Sequence, residues 1–329
     1  MITRPSNVLL VIVILLATMF VATFSASASV AVSAQDKLAA GQIDEVIAEL
    51  NGRLADAPSD AESSNLLCRA YFALEDWNRA EPSCRKAAAL DPDNGRFHLW
   101  RGRVYGEKAD RANFMEAASL AGKVRAEFER AVQLNPKDLD ARLDLAEFYI
   151  DAPALVGGGE RKARDQAQSL ATINPAREHF IYARIAEKKK DAASAEREYR
   201  QFIDLSHGDA EAWLNLALFF RRQKRFDEME QAIVKLGHAP QPEPDVLWEA
   251  SDILDRAGRN YPLATQLLNR YLTSGPVEKA PAFKAHYLLG TLLEKQGDKV
   301  GAALEYRASL SLVRNFGLAQ QALNRVAHQ

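Results

Sequence analysis

Residues Leu67–Asn94 read LCRAYFALEDWNRAEPSCRKAAALDPDN, and the order of small and large side chains in this stretch decides the fold. Leu67 and Cys68 stand together and Tyr71 follows three residues on. Ala80, Cys84 and Ala87 come next, and Pro92 closes the run in a Leu-Asp-Pro-Asp-Asn turn. These spacings describe two amphipathic helices that pack on each other. Antiparallel helices approach closely only where small side chains meet, with large neighbours filling the space beside that contact. Pro92 cannot continue a helix, so it ends one helical hairpin before the next begins.

The same order returns along the chain. Gly102 and Tyr105 open a second unit that closes with Val124, Phe128, Ala131 and Pro136. A third runs from Leu145, Ala146 and Tyr149 to Ala163, Ala167, Leu170 and Pro175. Ala183, Ala186, Ala195, Tyr199 and Phe202 make a fourth, and Trp213, Leu216, Ala217, Phe220, Met229, Ile233 and Leu236 a fifth. The sixth is less regular, with Ile253, Leu254, Ala257, Ala264, Leu268, Tyr271 and Pro276. The seventh carries Leu289, Gly290, Leu293, Gly297, Asp298, Ala302, Tyr306 and Ser309. Tyr199 and Ile233 are 34 residues apart, as are Ala195 and Met229.

This pattern and period resemble the tetratricopeptide repeat family over essentially the whole chain after residue 34. The resemblance implies an all-α fold, a right-handed superhelical solenoid of antiparallel helix pairs. It divides the chain into residues 1–34, a partial repeat or cap at 35–60, about seven hairpins over 61–316 and a capping helix at 317–329. Two units are long. The extra residues around Lys108 to Gly122 are Ala-rich, which predicts longer helices rather than a loop. Those in Ala152–Gly159 hold Pro and three glycines, which predicts a re-aimed connection. A phosphate-cradle reading of Gly157-Gly158-Gly159 fails, because no strand precedes it, no Gly-Lys-Ser/Thr follows, and Glu160 repels an anion.

The N-terminus differs from the rest. Arg4 is followed by an apolar run, Val8 to Phe24, and then by small-residue sites at Ala26-Ser27-Ala28 and Val32-Ser33-Ala34. That is the make-up of a secretory signal peptide, with cleavage expected after Ala34. The alternative is an uncleaved anchor, since about 17 apolar residues reach the lower edge of what spans a bilayer. Either way the mature chain is expected outside the cytoplasm, in the periplasm or beyond. Its formal charge is −2 and becomes −3 without Arg4, which gives no sign of nucleic-acid binding.

Catalytic chemistry has no foothold in the sequence. The six histidines are scattered without zinc-ligand spacing, no Cys-x-x-Cys exists, and no nucleophile elbow is present. No cofactor and no metal are expected. The chain therefore reads as a non-catalytic interaction scaffold. The alternatives are a structural spacer using convex or terminal surfaces, and a regulatory subunit of an envelope enzyme or export complex. Of Trp77, Trp100, Trp213 and Trp248, most are expected to pack between hairpins.

What remains follows from the resemblance. Cys68 and Cys84 fall where the two helices of one hairpin cross, so a disulfide is expected, the alternative being two buried thiols. First helices line the concave groove of such arrays. Projection places Arg69 and Phe72 on that wall, then Leu99 and Arg103, Leu143 and Glu147, Phe180 and Arg184, Leu214, Leu218 and Arg221, and Tyr287. Arg69, Arg103 and Arg184 each follow the small residue of their unit, which suits a protein or peptide partner bearing acidic or C-terminal carboxylate groups. Some family members grip a C-terminus with a Lys/Asn clamp; this chain has Asn65 and Arg69 but not the full set.

Overall fold

The computed structural model describes residues 33–239 and 244–327, so the apolar start and His328 lie outside the described residues. Helices α1 (Ala34–Ala39) and α2 (Ile43–Asp56) come first. Seven antiparallel pairs follow: α3 (Ala61–Ala73) with α4 (Trp77–Leu90), α5 (Gly95–Ala109) with α6 (Phe114–Leu134), and α7 (Leu139–Asp151) with α8 (Glu160–Ala171). Next are α9 (Pro175–Lys188) with α10 (Ala192–Leu205), α11 (Ala210–Arg222) with α12 (Phe226–Gly237), α13 (Pro244–Ala257) with α14 (Tyr261–Ser274), and α15 (Ala282–Lys295) with α16 (Lys299–Leu312). Helix α17 (Gly317–Ala327) closes the array. The result is the expected right-handed solenoid.

Many of these helices start where the sequence supplies an acceptor. Asp60, Asp76, Asn113, Asp138, Asn174, Asp191, Asp209 and Asp298 all accept a backbone N–H in the first turn. Such a cap is worth about 1 kcal/mol. The insertion in the second unit lengthens α6 to 21 residues, as its composition predicts. In the third unit a 3₁₀ turn, Ala154–Val156, and left-handed Gly157 redirect the chain into α8.

The small residues sit where the helices cross. A Cβ added at Gly102 would lie 2.5 Å from the Phe128 ring, and one at Gly290 would lie 2.5 Å from Tyr306. Cys68 and Cys84 hold the same crossing in the first hairpin, with Cα atoms 5.1 Å apart in a disulfide. Closing that loop is worth about 3 kcal/mol in the chain-entropy model.

Polar links recur as well. His98, His179 and His286 bond through Nδ1 to Glu127, Glu198 and Glu305 at 2.7, 2.7 and 2.6 Å, tying the first helix of three hairpins to the second. Glu187 accepts the Tyr199 hydroxyl at 2.7 Å and both arms of Arg222 from the next hairpin at 2.9 and 2.7 Å. Glu294 repeats this with Tyr306 at 2.8 Å and Arg325 at 2.8 Å on each arm. Burial opposes the charge on Glu187, but hydrogen bonds from Arg222 and Tyr199 hold its carboxyl below the usual range.

The two ends of the array meet. Leu38, Ile43, Val46 and Leu50 of the first two helices share one buried cluster with Phe283 and Val313 of the seventh hairpin. Left-handed Gly41 approaches so closely that an added Cβ would lie 2.8 Å from the Ala282 nitrogen. Asp44 accepts the Arg314 N–H at 2.9 Å, and Lys284 donates to Glu75 at 2.7 Å. Arg69, only 7% exposed, donates two hydrogen bonds to Glu278, 209 residues away, one of them at 2.8 Å. The loop bearing Glu278 is itself pinned by Tyr271, whose hydroxyl donates to the Ala280 carbonyl and accepts from the Val277 N–H at 3.2 Å.

Closure carries a testable cost. Gly41→Val forces a β-branched residue into a left-handed turn and onto the Ala282 backbone, and should lower stability by about 2 kcal/mol. Hydrogen exchange should then quicken in both α2 and α15. Faster exchange in α2 alone would show that the ends do not support each other.

Candidate functional site

Because the ends meet, residues from hairpins one, two, three, six and seven wall a single cavity of about 800 Å³. A neighbouring cavity of about 550 Å³ shares Arg69, Trp100, Arg103, Glu278 and Lys279 with it. Volumes of this order suit a short chain segment rather than a folded domain.

One wall is aromatic. The Phe72 ring meets Trp77 edge-on at 5.0 Å and Trp100 at 5.3 Å. Arg69 and Arg103 lie over Trp100 at 5.4 and 5.0 Å, and Arg111 lies over Trp77 at 4.9 Å. Phe148 and Trp248 add two more rings to the lining. Thus three of the four tryptophans border the cavity, while Trp213, Trp248 and Trp100 also pack against the core between hairpins, as expected of most of them. Closure brings these rings to one space, since Trp248 comes from the sixth hairpin and Trp100 from the second.

Of the residues placed on the groove by projection, Arg69, Phe72, Arg103 and Glu147 line the larger cavity, and Leu99 the smaller. Phe180 and Leu214 are buried in the main core, Phe180 against Phe202 with ring centroids 5.9 Å apart. Leu143 and Leu218 pack against the same core. Tyr287 stacks with Tyr306 and Phe316 at 5.9 and 5.5 Å, away from the cavity. Arg221 is half-buried on α11 and makes no ion pair among the described residues. Asn65 is fully buried and its amide faces no hydrogen-bond partner, so it takes no part in a clamp on the cavity wall.

The three aligned arginines are already engaged. Arg69 pairs with Glu278, Arg103 with Asp144 at 2.6 Å and Asp140 at 3.3 Å, and Arg184 with Asp151 at 3.1 Å and Glu147 at 3.5 Å. The expectation of an acidic partner therefore loses its basis, because a partner carboxylate would have to displace one the fold supplies. Those carboxylates come from a neighbouring hairpin or from the far end of the chain, which projection within one repeat does not reveal.

Charge in the lining runs the other way. Together the two cavities are lined by eleven carboxyl groups and six Lys or Arg residues, so acidic side chains outnumber basic ones by five. The whole chain carries only −2. Glu249, Asp110 and Asp245 make no ion pair among the described residues. Partial loss of solvation, with Asp245, Glu211 and Asp252 adding to it against Lys279, pushes Glu249, whose side chain still reaches solvent, up to about 7. Enclosure also raises Glu147, with Arg184 opposing and Asp144 and Asp151 reinforcing it. No group of three metal-ligating side chains occurs among the described residues.

A carboxyl raised on folding weakens the fold once it ionises. Glu249 should cost nothing below the unfolded value near 4.5, a growing amount up to about 7, and its full cost above that. Glu249→Gln should melt with the parent at pH 4 and a little above it at pH 8. Equal melting at both would mean that the cavity does not burden this group.

The chain matches the tetratricopeptide repeat family model over residues 65–112, 182–234 and 252–319. No curated protein matches it. Among solved structures it is similar to yeast Tom70, with 15% identity over 87% of this chain and 58% of that one and a TM-score of 0.50. A thermophilic tetratricopeptide repeat protein from Thermus thermophilus is 16% identical over 57% of this chain and 99% of that one, with a TM-score of 0.46. A tetratricopeptide repeat protein from Parabacteroides merdae is also 16% identical, over 81% of this chain and 98% of that one, with a TM-score of 0.38. At these identities the likeness is one of fold. With the family model covering three separate stretches and seven hairpins built on one packing rule, the chain belongs to the tetratricopeptide repeat family.

Proposed function

We propose that this protein is a non-catalytic scaffold of the cell envelope that holds an extended segment of a partner protein in its central cavity. A tetratricopeptide fold supports protein–protein interaction in general. The observation that carries the finer reading is the cavity itself, where Phe72, Phe148 and three tryptophans face a space walled by both halves of the array. Aromatic anchors in an enclosed pocket are the usual carriers of binding energy. A spacer fits less well, because ends that touch each other cannot hold two attachments far apart. The held segment would serve equally in an assembly or in the regulation of a partner enzyme.

The test is positional. A photo-crosslinking amino acid placed at Phe148, on the cavity wall, should capture one dominant partner from native envelope extract. The same group at Phe114, 82% exposed at the start of the long α6 and not part of the cavity lining, should not. Capture from Phe114 alone would overturn the cavity reading and favour attachment through the outer surface.

Export is supported by the apolar run Val8 to Phe24 and by two cysteines at bonding distance, which suit an oxidising compartment. The structure bears on where the leader would be cut. Ser33 and Asp36 form a capping box at the start of α1, and Ala34 is 1% exposed in the cluster that joins the two ends. Cleavage after Ala34 would remove both Ser33 and Ala34. Cleavage after Ala28 keeps them, and we favour that site. Intact-mass measurement of the envelope form should place its first residue at Ser29; a first residue of Gln35 would reject this, and retention of Met1 would make the segment an anchor.

A further inference from the structure

We propose that the segment held in the cavity is basic, its Lys or Arg side chains meeting the carboxylates that the fold leaves unpaired. This rests on the proposed function above and adds the chemistry of the partner. Three observations carry it. First, five of the six cations of the wall are spent internally, Arg69 on Glu278, Arg103 on Asp144 and Asp140, Lys284 on Glu75, Arg111 on Glu107 and Arg96 on Glu62, which leaves Lys279 as the one without an ion pair among the described residues. Second, Glu249, Asp110 and Asp245 have no such partner among the described residues, and they stand around the cavity on or beside helices from the second and sixth hairpins. Third, Phe148 and Trp248 line the same space and, among the described residues, carry no arginine on their faces, so they are free to take the stem or charge of a Lys or Arg side chain. An acidic segment would meet a wall on which carboxyl groups outnumber Lys and Arg by eleven to six. A basic one is drawn in by that excess, and acidic competitors are repelled by it.

The probe is a fluorescein-labelled ten-residue peptide of alternating Lys and Ala, with a Glu/Ala counterpart, titrated by anisotropy at low and moderate salt. The parent should bind the Lys peptide and not the Glu peptide. A cavity triple variant, Glu249→Gln with Asp110→Asn and Asp245→Asn, should bind about tenfold more weakly. A matched triple on exposed outer positions, Glu116→Gln with Asp165→Asn and Asp204→Asn, removes the same charge and should bind as the parent does. Equal loss in both triples, no binding of the Lys peptide, or tighter binding of the Glu peptide would overturn the proposal. Should the cavity triple fail to fold, a benzophenone-bearing Lys peptide crosslinked to the parent decides the matter: adducts belong on α7 and α13, and adducts on outer helices alone would reject it. A natural partner crosslinked from Phe148 through an acidic segment would sink this inference while leaving the scaffold reading intact.

Discussion

The close crossing of two helices at a small residue is the constraint on which this molecule depends. Gly102 under Phe128, Gly290 under Tyr306 and Cys68 bonded to Cys84 are three solutions to one packing problem. Each lets a pair of helices sit near enough for the flanking large residues to close over the contact. Stacking then propagates through shared apolar surface and through the paired Glu–Tyr–Arg links at Glu187 and Glu294. No single hairpin buries enough surface to stand alone, so stability is spread along the array.

Closure turns that one-dimensional array into an enclosure. The Arg69–Glu278 pair and the cluster around Ile43 and Phe283 join residues from opposite ends of the sequence. The same contacts engage Arg69 and bring carboxylates of the sixth hairpin round to the tryptophans, while Arg103 and Arg184 are held by the third hairpin beside them. A buried pair such as Arg69–Glu278 is weak evidence for stability in itself, but removing one partner leaves a charge stranded. Its evident contribution is geometric, holding Glu278 and the loop after Tyr271 against the first hairpin.

The hairpins were legible because periodicity and the small-residue crossings are local. So were the long α6, written in its alanine-rich composition, and the cysteine pairing, which follows from two positions in one hairpin. The cavity was not. Phe180 and Leu214 project onto an inner face, yet they fill core, Phe180 against Phe202 of its own hairpin. Trp248 and Glu278 join the site only through closure, a property of the summed rotation of all the hairpins. One signal was within reach: His179 and His286 each precede a glutamate by 19 residues, a repeated spacing that marks a link between helices.

A solenoid with open ends can gain or lose a repeat at little cost, since each unit touches only its neighbours. This one has no such freedom. Inserting or deleting a single hairpin would carry Glu278 past Arg69 and pull Ala282 away from Gly41, so the gain of one unit would unmake contacts at both termini. Repeat number here is a fitted dimension, like the number of staves in a barrel, and sequence change within the protein is channelled into substitutions and into the lengths of individual helices, of which α6 is the visible example.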